Sequence, residues 1–334
     1  MTNSFTLDLQ TYKGVREGLK WFLGNKYKEF EKLLVKYMFG EDELQEELTL
    51  QYIEETLNID WYNIDLNDLW IKIYHFTTRA NKEEAFVEIQ SLFYLLSNDT
   101  TFREFFRYHG VEFDLDKSSL KVNGEMHNLL EVNNLANEAL RWIHTKLYTD
   151  SEVWGFVRVL DIREYNSDFP ERPEFVSHVA KLLKDDGFLI DDWNKRYGNP
   201  YVIEFKQPLY AVHISSNFIL SKNDFMKEKY LDEKEFELMQ NEYDLEKKKG
   251  LFRLLLTIFM DNLSRDGLSE LASNHDETRR RLLRNSSIKR LYGGLGEMIC
   301  AVVSKNINVP RNKILKVWEF EEFQKNAMKD NGYL

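Results

Sequence analysis

The chain has 334 residues, 43% of them hydrophobic and 14% aromatic, which supplies a large core and excludes a disordered polypeptide. Five prolines, 15 glycines and one cysteine, Cys300, leave little room for long turn-rich linkers. They also exclude an internal disulfide and any cysteine-based zinc or iron–sulfur cluster. The net charge of −11 argues against global steering toward nucleic acid, and the length predicts two or three packed units.

From Thr11 to Leu57 apolar residues recur at three- and four-residue steps among charges, which predicts helix, with a stop at Gly40 and a new cap at Asp42. Leu69–Thr78 is a β-branched and aromatic run and reads as a strand. Asn81 can then cap a helix carrying Ala85, Phe86, Ile89, Leu92 and Phe93. Val153–Leu160 reads as a strand. Gly187–Trp193 and Pro200–Phe205 read as a hairpin around a polar turn, and Leu209–Ile214 as a further strand. Glu233–Leu263 reads as one long helix and Glu277–Ser304 as one or two more.

The expected fold is therefore α+β: a mixed sheet core in the middle third, flanked by N-terminal and C-terminal helical segments. The expected division is a helical segment over 1–65, an α+β catalytic core over 66–220 and a helical domain over 221–334. The N-terminus has no basic region followed by an apolar run, and the most apolar stretch, Gly250–Met260, contains Arg253 and is too short to span a bilayer. The expectation is a cytoplasmic protein with no membrane partner.

The sequence has no Walker A loop, no G-x-S-x-G and no H-E-x-x-H. Gly293, Gly294 and Gly296 lack the spacing of a dinucleotide loop, and Cys300 within Ile-Cys-Ala-Val-Val reads as core. The densest basic run, Thr278–Arg284 with Lys289 and Arg290, reads as a solvated helix face.

Two constellations carry chemistry. In the first, His75, Thr77 and Arg79 alternate along the end of a strand, so one face presents an imidazole, a hydroxyl and a guanidinium to a ligand. The run Ile71-Lys-Ile-Tyr-His75-Phe-Thr77 resembles the H-x-T opening of ADP-ribosyltransferases of the toxin, polymerase-like and DNA-modifying branches. The resemblance implies that His75 and Thr77 grip NAD⁺ and that Tyr165 stacks on nicotinamide; Arg79, two residues on, is close enough to meet a pyrophosphate. Asn199-Pro200-Tyr201 is similar to the glutamate-bearing strand of the polymerase branch, with Pro200 where that branch has its glutamate. The catalytic carboxylate is then Glu204, or Glu171 or Glu174, or else NAD⁺ is bound without transfer. By resemblance the setting is a toxin or phage-defence effector acting on a protein or nucleic acid target.

In the second constellation, Asp192 with Glu204 and Lys206 on the expected hairpin resembles PD-(D/E)xK nucleases. There two carboxylates hold Mg²⁺ and the lysine polarises water or phosphate. Arg103…His109 and Arg172…His178 also fit the arginine–histidine spacing of HEPN ribonucleases. A third alternative is a non-catalytic helical interaction protein that meets a partner chain.

Overall fold

The computed structural model describes residues 4–39, 50–134, 137–149, 152–159, 171–184, 187–215, 219, 221–262, 298–303 and 308–330. The fold is α+β. Its centre is a seven-stranded mixed sheet whose strands are drawn from the whole chain: β1 (Phe5–Leu7), β2 (Leu69–Arg79), β6 (Val153–Val159), β7 (Asn199–Pro208), β8 (Val212–Ser215), β9 (Met298–Val303) and β10 (Ile314–Glu319). The order is β10-β7-β2-β6-β9-β8. All these pairings are antiparallel, and β1 adds in parallel to β2 at Leu69–Ile71.

The two edges of β2 differ. Against β7 it pairs continuously from Trp70 to Arg79, but against β6 only at Tyr74↔Phe156. Gly155 sits at this crossing. A Cβ there would meet Ile73 Cγ2 at 2.5 Å and the Tyr74 carbonyl oxygen at 3.0 Å, so the close approach requires glycine. The end of β6 is held instead by Gln10, whose side chain both donates to and accepts from the Val159 backbone at 2.8 Å.

Alternation gives the sheet two faces. One carries Ile71, Ile73, Val157, Ile203, Phe205 and Ala301 against α1 (Tyr12–Leu23), α2 (Tyr27–Phe39), α3 (Leu50–Leu57) and the long helix α12 (Gln240–Asn262). The other carries Tyr74, Phe76, Phe156 and Val202 beneath Phe320, Phe323 and Ala327 of α13 (Phe320–Asp330). A second core lies to one side. It joins α5 (Leu92–Ser97), α6 (Thr101–Tyr108), α7 (Glu138–His144), α8 (Glu174–Leu183) and α9 (Phe188–Tyr197) with a small sheet of β3 (Val111–Asp114), β4 (Ser119–Val122) and β5 (Glu125–Asn128). That small sheet has no counterpart in the sequence expectations.

Several elements depart from those expectations. The segment after Gly187 is not a strand: Phe188–Tyr197 is the helix α9, entered through Gly187 at φ 111°. Leu189, Trp193 and Tyr197 fall four residues apart and pack on Phe102 and Phe105, while Asp191 and Lys195–Arg196 sit at the ends that suit the helix dipole. The expected hairpin therefore does not exist, and β7 instead pairs between β2 and β10. Residues 298–303, expected to be helical, form β9, a central strand flanked by β6 and β8, which suits its near-continuous apolar run. With β10, it returns the C-terminal part of the chain to the sheet.

Smaller differences follow local chemistry. Asn81 does cap a helix, α4, but only over Lys82–Ala85. Ile89 then bridges Val309, and Ser91 caps α5. After Pro208 a single turn over Leu209–Ala211 precedes β8. Later in the chain, α10 (Lys222–Lys229) and α11 (Glu233–Leu238) lead into α12, which is separated from α11 at Met239. Gly40, Asp42, the basic run 278–290 and the glycines at 293–296 lie outside the described residues.

Candidate functional site

Beyond Tyr74 the strands β2 and β6 separate, and a cleft of about 640 Å³ opens between them. Its sheet side is lined by His75, Thr77 and Arg79 of β2, by Glu152–Phe156 and by Cys300 of β9. Its roof comes from the second core, through Leu92, Leu95, Thr100–Phe102, Pro173–Phe175, Trp193 and Tyr197. The three residues singled out on the strand end thus converge on one cavity of the size and mixed lining that suit a small-molecule ligand.

His75 Nδ1 lies 2.7 Å from the Trp154 carbonyl oxygen. A carbonyl can only accept, so Nδ1 carries the proton and the neutral ring keeps Nε2 as an acceptor. Burial pushes the His75 pKa down to about 4, the Trp154 hydrogen bond opposes that fall and the Arg79 charge adds to it. The imidazole is therefore neutral at physiological pH. Arg79 donates to Thr77 Oγ1 and, at 2.8 Å, to the Thr78 carbonyl, which pins its guanidinium along the strand. Thr77 accepts that bond and retains its own O–H as a donor. Behind it, the Trp193 indole donates to Thr78 Oγ1 at 3.1 Å and fixes α9 to the end of β2.

Glu174, the first residue of α8, also lines the cleft. Its carboxylate lies 3.4 Å from His178 Nε2 and 3.0 Å from Lys146 Nζ. The His178 hydrogen bond, working against burial and helped by Lys146, lowers its pKa to about 2. The His178 ring stacks on Trp142 with centroids 5.4 Å apart. Lys146, on a π-helical turn over Thr145–Thr149, had no sequence signal: it is neither in a motif nor on a periodic face.

Glu204 does not join this site. Its register partner on β2 is Tyr74, whereas His75 opposes Ile203, so Glu204 projects from the opposite face of the sheet to His75 and Thr77. It accepts from Trp318 Nε1 at 2.9 Å and pairs with Lys72 Nζ at 2.9 Å, and Lys72 in turn reaches Asp8 at 3.0 Å. Burial works against the Lys72 ammonium, but Asp8 and Glu204 outweigh it and its pKa lies above the ordinary value. Of the alternative carboxylates, Glu171 is exposed and bonded to Arg172, and Glu174 faces the cleft. Tyr165 lies outside the described residues.

The nuclease constellation is dispersed. Asp192 sits on a helix, where it meets His109 Nε2 at 3.0 Å and Arg196 Nε at 2.9 Å. Lys206 of β7 lies over the Trp70 ring at 5.3 Å from its centroid. Among the described residues no group of three or more His, Cys, Asp or Glu side chains is placed to hold a metal ion. The two arginine–histidine spacings are likewise used locally. Arg103 donates toward the Phe113 carbonyl and Arg172 to Ser177, while His109 and His178 face carboxylates on helices.

No protein-family model matches the chain, and no curated protein or solved structure matches it either. Among the described residues no helix is long and apolar enough to cross a membrane.

Proposed function

We propose that the cleft beside β2 binds NAD⁺ and that the protein is an ADP-ribosyltransferase-like enzyme of the toxin or phage-defence kind, acting on a macromolecular target. The observation that carries this reading is the convergence of His75, Thr77 and Arg79 on one cavity at an open strand edge. His75 offers Nε2 as an acceptor and Thr77 its O–H as a donor, a pair suited to ribose hydroxyls and a carboxamide. Arg79, anchored through one nitrogen, supplies the positive charge for a pyrophosphate. The substrate supplies the labile nicotinamide–ribose bond.

The carboxylate assigned to such chemistry is Glu174, not Glu204, because, of the carboxylates singled out in the sequence, Glu174 lines this cavity and Glu204 projects from the opposite face of the sheet. With a pKa near 2 it stays ionised throughout the physiological range. That suits a fixed negative charge beside a centre that becomes positive as its leaving group departs, and not a proton donor. Lys146 and His178 hold the carboxylate in place.

The test is binding of NAD⁺ to the full chain by thermal shift and calorimetry. At about 100 times its Kd the ligand should stabilise the wild type by about 2.7 kcal/mol. His75→Ala should remove that shift while leaving the fold intact. Absence of NAD⁺ binding to the wild type, or binding unchanged in His75→Ala, would overturn the reading.

A further inference from the structure

The sheet face that carries Tyr74 and Phe76 lies under α13. Toward the start of β2 the same face presents Trp70 and Lys72, both half-buried, with Lys206 of β7 paired beside Lys72 and Lys316 of β10 opposite Glu204. Lys313, on the turn over Arg311–Lys313 that precedes β10, joins them. Contacts tie these side chains into one patch. Lys206 Nζ and Lys313 Nζ both lie over the Trp70 ring, 5.3 and 3.7 Å from its centroid. Lys316 lies over Trp318, whose indole donates to Glu204, and Glu204 pairs with Lys72.

The charges of the patch are unevenly satisfied. Lys72 takes both Asp8 and Glu204, and Lys316 has Glu322 at 3.5 Å. Lys206 and Lys313 form no hydrogen bond or ion pair among the described residues, and both ammonium groups rest against one indole. Two cations gathered on one ring repel each other, and a cation–π contact near the surface is weak. An anion that accepts from both relieves the repulsion and draws the ammonium groups off the ring. The indole face they leave is then free for a flat base to stack on. Lys316 stands one two-residue step further along, about 6.6 Å, so the lysines form a short track and not a point. A chain of phosphates joined to unstacked bases supplies both partners. A duplex keeps its bases inside, and an acidic peptide supplies charge alone.

We propose that this end of the sheet face binds single-stranded nucleic acid, with phosphates at Lys206 and Lys313, Lys316 next on the track, and a base on Trp70. These residues lie on the opposite face of the sheet from His75 and Thr77, so binding here stands or falls independently of NAD⁺ in the cleft. The net charge of −11 repels nucleic acid elsewhere and confines the contact to a short stretch.

The experiment is a fluorescence-anisotropy titration of the full chain with a labelled oligothymidylate or oligouridylate, repeated between about 50 and 200 mM salt. With three lysines engaged, log K should fall against log salt with a slope of about −2. The double variant Lys206→Gln, Lys313→Gln should weaken binding at least tenfold and flatten the slope to about −0.7. Trp70→Leu should weaken binding roughly tenfold and leave the slope unchanged, since it removes stacking and no charge. If Trp70→Leu does not fold, the lysine pair carries the test. Both lysine substitutions should leave NAD⁺ binding as in the wild type. Three results would overturn the proposal: no binding of either oligonucleotide, binding and slope unchanged in the double lysine variant, or a duplex or polyglutamate bound as tightly as the single strand. Failure of the NAD⁺ reading is seen separately, in the NAD⁺ titration of wild type and His75→Ala.

Discussion

Two lysine–glutamate pairs flank the central sheet, and they are built for different ends. Lys72–Glu204 is closed: the lysine bridges two carboxylates, Glu204 also takes the Trp318 indole, and the side chains are only 10–22% exposed. Lys146–Glu174 is at the cleft, where Glu174 retains 39% side-chain exposure and its other partner is a histidine. A fully satisfied buried network fixes strands in register. Glu174 also has a partner on each oxygen, His178 on one and Lys146 on the other, but its greater exposure leaves lone pairs open to whatever enters the cleft. The comparison separates a carboxylate that holds the fold from one that can act.

The largest expected effect falls on the closed pair. Lys72→Met leaves Asp8 and Glu204 facing each other without a cation and should cost about 3 kcal/mol, read from the denaturation midpoint. A loss below about 1 kcal/mol would mean that the network contributes little and that Glu204 is freer than its contacts imply.

The next effect is read through pH. His75 has a folded pKa near 4 against 6.5 for the free side chain. Between those values the unfolded chain takes up a proton that the folded chain refuses, so stability falls as pH is lowered from about 6.5 to about 4 and levels off below. Since the ring keeps some exposure, the loss should be about 2 kcal/mol. His75→Gln should flatten the profile across this window, and a profile unchanged by the substitution would show that the ring is not held neutral by the cleft.

The smallest effect sharpens the contrast. Glu174→Gln removes an ion pair at the cleft and should cost less than about 1 kcal/mol. Destabilisation as large as that of Lys72→Met would show that Glu174 is a structural residue like Glu204 and would remove it as the acting carboxylate.

What the sequence discloses and what it conceals can be traced to these same residues. The strand carrying His75, Thr77 and Arg79 is legible because its β-branched and aromatic run is strong locally, and alternation within one strand fixes which side chains share a face. Glu204 lies on an equally legible strand, yet its face relative to His75 depends on the register between two strands 120 or so residues apart, and no local pattern encodes that. Phe188–Tyr197 departs from the expected strand because Phe-Leu-Ile satisfies a strand template over three residues, while the four-residue spacing of Leu189, Trp193 and Tyr197 emerges only over ten. β9 departs from the expected helix because a short apolar run bounded by helical-looking sequence cannot be told from helix by periodicity alone. Glu174 opens α8, but its arrival in the cleft depends on how the second core docks against the sheet.

The interrupted pairing of β2 also bears on how the molecule behaves among its own copies. A strand edge with unpaired backbone groups is a template for another strand, and proteins that expose one are prone to stick edge to edge. Here the gap is internal, roofed by residues from α5, α6, α8 and α9. It has room for a ligand of a few rings, but a second chain would have to lift the roof before it could add a strand. The same gap that makes the cleft is thus screened by size from the aggregation it would otherwise invite.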